Sequence, residues 1–359
     1  MRILSNADVE QVLSTDECMV ALELAYKELV LGRAANRPRN HTYFPVRDER
    51  HPDFQFRFKS QEGGNAASGV WAVRTTSEMI GSETLPGGVK RRRNLPLAGG
   101  DKYCGLIMLY STSRLEPLAI MHDSYIQRLR CSATSALGMR ALSNPDASVA
   151  GLFGAGWQAQ AHLEAMLLVR PSIEEVRTYS PVRADREAFA LLWSNKTGKR
   201  IVAVDEPRDA VRGCQLVTCA TNTFNPCFDG SWLEPGTHVS CITHPDGEVM
   251  RRELDDLTYD RADRIVVLSR EQISHDNQVD ILGPVRRGRK RMEDIGELGE
   301  LLLGRIAGRT SAGQITLFAN NTGMGLQFAA VGARVLELAA KKGLGREIPT
   351  DWFLETTPP

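Results

Sequence analysis

The sequence has no excess charge of either sign: 44 lysines and arginines face 44 aspartates and glutamates. No global field therefore draws the chain to nucleic acid or to an anionic membrane. Long hydrophobic runs are missing too. No apolar stretch approaches the ~20 residues that a bilayer-spanning helix needs, and residues 1–10 do not contain the continuous apolar core of a secretory signal peptide. The seven cysteines (Cys18, Cys104, Cys131, Cys214, Cys219, Cys227 and Cys241) are scattered, odd in number and without a Cys-x-x-Cys pair. This argues against a disulfide framework and the common zinc spacings, so reduced thiols, a cytoplasmic location and no bound metal are expected. No internal repeat is visible either.

What is present is the composition of an ordinary globular protein, with 42% hydrophobic and 25% charged residues in a chain of 359. At roughly 150 residues per domain, that length predicts two domains. The most informative stretch is residues 148–162, SVAGLFGAGWQAQAH. Residues 148–153 form a short, mostly apolar run of strand type. Gly154-Ala155-Gly156 is a tight turn, and residues 157–169 read as an amphipathic helix. Strand, glycine turn and helix together place a pyrophosphate on backbone N–H groups at a helix N-terminus. In the pattern G-x-G-x-x-G/A the three small residues are Gly154, Gly156 and Ala159, with Trp157 and Gln158 between them. All five are candidate cofactor-binding residues.

Residues 6–32 carry a helical pattern of apolar residues behind a plausible cap. Residues 54–59 alternate apolar and polar side chains, as a half-buried strand does, and residues 69–75 predict a second strand. Residues 82–101, rich in glycine, proline and basic side chains, read as a long loop. Residues 103–110 and 117–121 predict a hairpin, and residues 130–142 a helix leading into the glycine turn. Further strands are expected at 175–179, 200–204, 216–220, 238–242 and 264–268, alternating with helices such as 184–193 and 207–213. This alternation predicts an α/β fold with a Rossmann-type, doubly wound parallel sheet and right-handed crossovers. A last strand (314–318) and an apolar helix (325–339) follow. The expected division is a mixed α+β domain of residues 1–129 plus 313–359, and a dinucleotide-binding domain of residues 130–312 whose sheet is complete without that last strand.

Arg130-Cys-Ser-Ala-Thr-Ser-Ala-Leu137, Leu142-Ser-Asn-Pro-Asp-Ala147 and Gly154-Ala-Gly-Trp-Gln-Ala159 together resemble the ornithine cyclodeaminase/mu-crystallin family. Other segments agree in order, among them Ala220-Thr-Asn222, Pro235-Gly-Thr-His-Val239, Arg252-Glu-Leu254 and Gly296-Glu-Leu298, so the resemblance spans nearly the whole chain. It implies a homodimer in which the mixed domain supplies the substrate pocket and the dimer contact. It also implies chemistry at the α-carbon of amino acids with a nicotinamide cofactor. Some members oxidise the amine or reduce a ketimine, others release ammonia and close a ring without net redox change, and a few mainly bind a ligand.

A substrate carboxylate in a dry pocket needs a cation, and arginine offers a forked match. The resemblance puts Arg130 at the family's carboxylate-binding position. The family's Gly-x-Lys strand corresponds here to Gly69-Val-Trp-Ala-Val-Arg74, with Trp71 where the lysine is expected. Arg74, the nearest cation, then takes over the carboxylate contact, with Lys59 of the preceding strand as a second candidate. The bland reading of both is a surface cation. The amine proton requires a general acid or base. Family cyclodeaminases use an aspartate after the His-Val strand, and Thr243-His-Pro-Asp-Gly-Glu248 offers Asp246 or His244, the latter titrating near neutrality. Asp246-Gly247 is also an ordinary turn dipeptide.

A carboxylate at the tip of the second Rossmann strand binds the ribose 2′-hydroxyl of NAD. The tip here is Tyr179-Ser-Pro-Val-Arg183, so Ser180 and Arg183 suit a 2′-phosphate, and the cofactor is NAD or NADP with a lean to NADP. The resemblance adds Thr221 and Asn222 on the nicotinamide-ribose side and Asn320 near the nicotinamide. The basic runs at 90–93 and 286–291 lack interleaved aromatics and read as solvated loops. The expected function is an NAD(P)-dependent oxidoreductase acting on the Cα–N bond of an amino acid or cyclic imine. A redox-neutral cyclodeaminase and an NADPH-dependent ligand-binding protein are the alternatives. The expected partners are a small amino-acid or imine substrate and a second copy of the chain, with neither nucleic acid nor membrane.

Overall fold

The computed structural model describes residues 1–44, 49–246 and 249–357. In chain order the N-terminal elements are β1 (Arg2–Leu4), α1 (Asn6–Glu10), α2 (Thr15–Val30), β2 (Ala34–Asn36), β3 (Asn40–Phe44), β4 (Gln55–Asn65), β5 (Val70–Thr84), β6 (Lys90–Leu95), β7 (Cys104–Ser111), β8 (Pro117–His122) and α3 (Ser124–Leu142). The central run is β9 (Val149–Phe153), α4 (Trp157–Val169), β10 (Glu175–Tyr179), α5 (Arg183–Thr197), β11 (Arg200–Ala203), β12 (Leu216–Cys219), β13 (His238–Cys241), α6 (Asp256–Arg261), β14 (Arg264–Val267), α7 (Arg270–His275), α8 (Val279–Arg286), β15 (Gly296–Glu297), α9 (Leu298–Leu302) and β16 (Thr316–Ala319). The chain closes with α10 (Gly325–Lys341) and β17 (Arg346–Glu347).

Two compact units result. The first comprises Met1–Gly81, Arg93–Arg130 and Gly323–Pro359, and the second Ser82–Arg92 and Cys131–Thr322. The first unit is built on a mixed sheet in the order β17-β1-β8-β7-β5-β4-β2, with β3 beside β4 and β6 beside β5. Caps define its first helices: the Ser5 side chain and Asp8 form a reciprocal capping box on α1, and Ser14 accepts from the Glu17 N–H to start α2.

The second unit carries a parallel sheet, β11-β10-β9-β12-β13-β16-β14-β15, so the fold is α/β. Every residue of β12, β13 and β16 is buried, as expected of parallel strands covered on both faces. Alternation sends Phe153, Val217, Cys219 and Val239 into the core on one face. It sends Ala150, Leu152 and Leu216 into the other, against Leu163 and Met166 of α4 and Trp193 of α5. Strand order reverses at β9, and a ligand crevice forms outside the carboxyl ends of the strands at such a switch point.

Three expectations change. Residues 82–101 are not one long loop: β5 runs on to Thr84 and turns through residues 85–89 into β6. The last strand, expected in the mixed domain, lies inside the parallel sheet between β13 and β14. Its four buried residues complete that sheet's core, so the second unit ends at Thr322. Residues 207–213, expected as a helix, form only a short 3-10 turn at Pro207–Ala210. Among the described residues no helix is long and apolar enough to cross a membrane.

Candidate functional site

The carboxyl ends of β9, β10 and β12 open on a cleft of about 510 Å³ in the second unit. Gly154, Ala155, Gly156, Trp157, Gln158, Ser180, Thr221 and Asn222 all line it. Gly154 has φ +112°, and a Cβ there would lie 2.6 Å from the Ala220 carbonyl oxygen, so a side chain is excluded by the protein itself. Gly156 differs. A Cβ on it would meet no protein atom within 4 Å; it would project into open space where a pyrophosphate approaches a helix N-terminus. Gly156 also caps α4 without any side-chain hydrogen bond, leaving the first-turn N–H groups to a ligand. The buried Gln158 Oε1 has no hydrogen-bond partner among the described residues. Ala159 is fully buried, with its Cβ 3.4 Å from the position a Gly154 Cβ would take. These features fit a dinucleotide.

A buried carboxylate shapes the cleft's far wall. Glu253 accepts hydrogen bonds from the Thr221 N–H (2.6 Å) and hydroxyl (2.7 Å), and from the N–H groups of Ile242 (2.7 Å) and Thr243 (2.9 Å). It ties the ends of β12 and β13 together. Burial pushes its pKa above the ordinary carboxylate range, against the pull of these four donors. In the sequence Glu253 is visible only as part of the Arg252-Glu-Leu254 segment, with nothing local to mark its role.

The expected cofactor residues at the edges behave differently. The Arg183 side chain pairs with Glu187 at 2.6 Å and does not line the cleft, whereas Asp185, one turn into α5, does. Arg186 is pinned to Asp205 and to the Ser180 carbonyl. Asn320 turns its Nδ2 to the Cys131 carbonyl and the Ser135 hydroxyl and is not among the cleft-lining residues.

Both proton-transfer candidates are buried. His244 has its two ring nitrogens engaged inside the fold, Nδ1 with Asp280 at 2.7 Å and Nε2 with Cys241 Sγ at 3.5 Å. Asp246 accepts from Arg251 Nη2 at 3.2 Å and lies 3.8 Å from Arg92 Nη1. Gly247 and Glu248 of the same segment lie outside the described residues.

In the first unit the β4–β5 register pairs Gln61 with Arg74 and Lys59 with Thr76, putting Lys59, Gln61 and Arg74 on one face of the sheet. Trp71 is on the opposite face. Arg74 is buried and donates Nε and Nη2 to Asp123 (2.8 and 2.5 Å) and Nη1 to Gln61 (2.7 Å). Arg74 is therefore not the surface cation of the bland reading. Arg130, also buried, donates to Gln127 at 2.8 Å and to Gln327 at 3.1 Å. Both guanidinium groups lie over the Phe328 ring. A Cβ on Gly323 would lie 2.6 Å from Gln61 Nε2 and 3.0 Å from Arg130 Nη2, so Gly323 lets both side-chain ends pack close to the backbone. Gln61, Asp123, Gln127, Gln327 and Phe328 were not foreseen; the period-2 pattern of β4 was the one signal, and it concerns Gln61 alone.

The model of the ornithine cyclodeaminase/mu-crystallin family matches residues 90–343. The alanine dehydrogenase of Archaeoglobus fulgidus is 29% identical over 347 residues, covering 96% of this chain and 97% of that protein. The structure of Thermococcus litoralis Δ1-pyrroline-2-carboxylate reductase in complex with NADH and L-proline superposes with a TM-score of 0.81 at 27% identity, over 97% of this chain and 100% of that one. An archaeal alanine dehydrogenase dimer with bound NAD gives a TM-score of 0.80 at 28% identity, over 97% and 99% of the two chains. The chain described here belongs to the ornithine cyclodeaminase/mu-crystallin family.

Proposed function

We propose that this protein is an NAD(P)-dependent oxidoreductase acting on the Cα–N bond of an amino acid or cyclic imine. The observation that carries the reading is the pairing, within one chain, of a dinucleotide-type cleft at Gly154–Gly156 with a buried arginine pair on Phe328. When bound, the dinucleotide supplies the hydride donor or acceptor at its nicotinamide ring. The protein's own residues do the rest. Arg130, with Arg74 or Lys59, holds the substrate carboxylate through charge-assisted hydrogen bonds. Lys59 lies on the same sheet face as Arg74 and is the alternative to it. Asp246 accepts or returns the amine proton, because His244 has both nitrogens committed to Asp280 and Cys241.

For the cofactor the reading keeps a lean to NADP. The tip of β10 ends in Tyr179 and Ser180 without a carboxylate, and Arg183 need only exchange Glu187 for a 2′-phosphate. Asp185 in the cleft lining favours NAD instead, so the ratio of the two affinities decides. Asn320 acts from behind the cleft as an anchor of the chain near the nicotinamide. Self-association into a homodimer is supported by large apolar side chains exposed on the first unit, among them Val20, Leu24, Phe44 and Phe58, and an archaeal alanine dehydrogenase relative is a dimer. A cytoplasmic location rests on seven free cysteines.

The test is titration of the purified, cofactor-free protein with NADH and NADPH, followed by an amino-acid and cyclic-imine panel on the better complex. Substrate-dependent gain or loss of nicotinamide absorbance is expected. Ammonia release without absorbance change would move the assignment to cyclodeamination. Failure of both dinucleotides to bind would end it.

A further inference from the structure

We infer that the hairpin tip at residues 82–92 is part of the dinucleotide site and that Arg91 binds a phosphate of the dinucleotide. This rests on the nicotinamide-cofactor reading above. Leu85, Val89 and Arg91 line the same cleft as Gly154, Gly156 and Thr221. Among the described residues lining that cleft, Arg91 is the one cation. Every other donor there is a backbone N–H or a neutral side chain, while the expected ligand carries two or more negative charges.

The hairpin is anchored where it needs to be. The Leu85 N–H donates to the Val89 carbonyl at 2.8 Å, closing a turn through Gly87 and Gly88, both with φ near +78°. The returning strand then pairs with the segment that leaves β12. Arg92 N–H donates to the Asn222 carbonyl (3.0 Å), Asn222 Nδ2 to the Arg92 carbonyl (2.7 Å), and Phe224 N–H to the Lys90 carbonyl (3.0 Å). Side chains alternate along such a strand. Lys90 lies over the Phe224 ring at 5.1 Å, and Arg92 approaches Asp246 at 3.8 Å. Arg91, between them, points the other way, into the cleft.

Its aim is set by Glu83 on the opposite arm of the hairpin, which accepts from Arg91 Nε at 2.6 Å. Among the described residues neither Nη nitrogen has a protein partner, so the fork that suits a phosphate is presented to the cleft. The side chain keeps 37% exposure, so it is reachable by a ligand. Leu85 and Val89 beside it supply an apolar wall of the kind a planar base or ribose edge packs against. A basic run that reads as a solvated loop in the sequence is, in the fold, the start of the six-residue strand β6, with one position, Arg91, lining the cleft.

The experiment uses the full chain freed of dinucleotide, titrated with NADH and NADPH by fluorescence for wild type, Arg91→Ala and Arg91→Gln, with Arg291→Ala as a surface-charge control. Losing a charge-assisted phosphate contact should weaken binding roughly tenfold or more, and the salt dependence of affinity should flatten. Equal loss for both ligands identifies the pyrophosphate, and loss confined to NADPH identifies the 2′-phosphate. Arg91→Gln keeps the hydrogen bond to Glu83 and serves where Arg91→Ala fails to fold. Unchanged affinity for both ligands in a folded variant overturns the inference while leaving the cofactor reading intact. Wild-type protein that binds neither ligand overturns both.

Discussion

The guanidinium carbons of Arg74 and Arg130 lie 5.3 and 5.6 Å from the centroid of one ring, that of Phe328. Two buried cations that share a ring repel each other, and Asp123 pairs with Arg74 at 2.5 Å. An incoming carboxylate supplies a further negative charge to the pair. Arg130→Ala should therefore raise KM for the amino acid or imine about 10- to 100-fold, the range for a lost charge-assisted hydrogen bond. NADH and NADPH affinity should be unchanged. Steady-state kinetics and a dinucleotide titration on the same preparation check this, and an unchanged KM removes Arg130 from the site.

The two glycines of the turn should respond in opposite ways. Gly156→Ala places its methyl in open space at a φ of −88°, which alanine adopts readily, so the melting temperature should stay within a degree or two of wild type. Dinucleotide affinity should nevertheless fall at least about tenfold, because the methyl occupies the path of the pyrophosphate. Gly154→Ala forces a left-handed φ of +112° and a 2.6 Å clash with the Ala220 carbonyl, so it should destabilise the fold itself by roughly 1–3 kcal/mol or more. Calorimetry and ligand titration separate the two.

Glu253→Gln replaces one carboxylate oxygen by an NH2 group that faces two donors, whichever way the amide turns. Stability should fall by roughly 2–4 kcal/mol, and dinucleotide affinity should drop with it because Thr221 loses its anchor. Denaturant midpoints for wild type and variant measure the first effect. A variant as stable as wild type would show that the carboxylate does not hold the strand ends.

His238 provides the pH dependence. It is fully buried in β13, with Nδ1 2.9 Å from the Thr316 hydroxyl, and burial depresses its pKa from 6.5 to about 3, with Arg309 and Arg170 adding to the effect. In the unfolded chain it protonates near 6.5, whereas in the folded protein it stays neutral. Its contribution is complete above pH 6.5 and is lost as pH falls from there towards 3. Between pH 6.5 and 4.5 that loss is about 3 kcal/mol, at 1.36 kcal/mol per unit. The urea midpoint should fall less between pH 7 and pH 4.5 for His238→Gln, which cannot take up the proton, than for wild type. Parallel slopes would refute the assignment.

Much of the dinucleotide cleft was legible in the chain because its determinants are neighbours in sequence. Gly154, Gly156 and Ala159 read as a turn entering a helix, and Thr221 and Asn222 follow a strand. The arginine corner of the first unit was legible only in part. Arg130 and Arg74 are visible as cations, but Asp123, Gln327 and Phe328 reach them from 49, 197 and 198 residues away or comparable separations set by the sheet and α10. Nothing in residues 243–246 announces that His244 would be taken up by Asp280 and Cys241.

The sequence by itself determined the α/β class, the strand–turn–helix unit and the residue types available to it, because apolar periodicity and glycine act over a few residues. Only the tertiary structure decided that Thr316–Ala319 completes the parallel sheet, that residues 82–92 join the second unit, and that one arginine of a basic run faces the cleft. Those outcomes depend on which strand edges are left unpaired and which buried charges find partners, and these are settled by contacts between residues far apart in the chain.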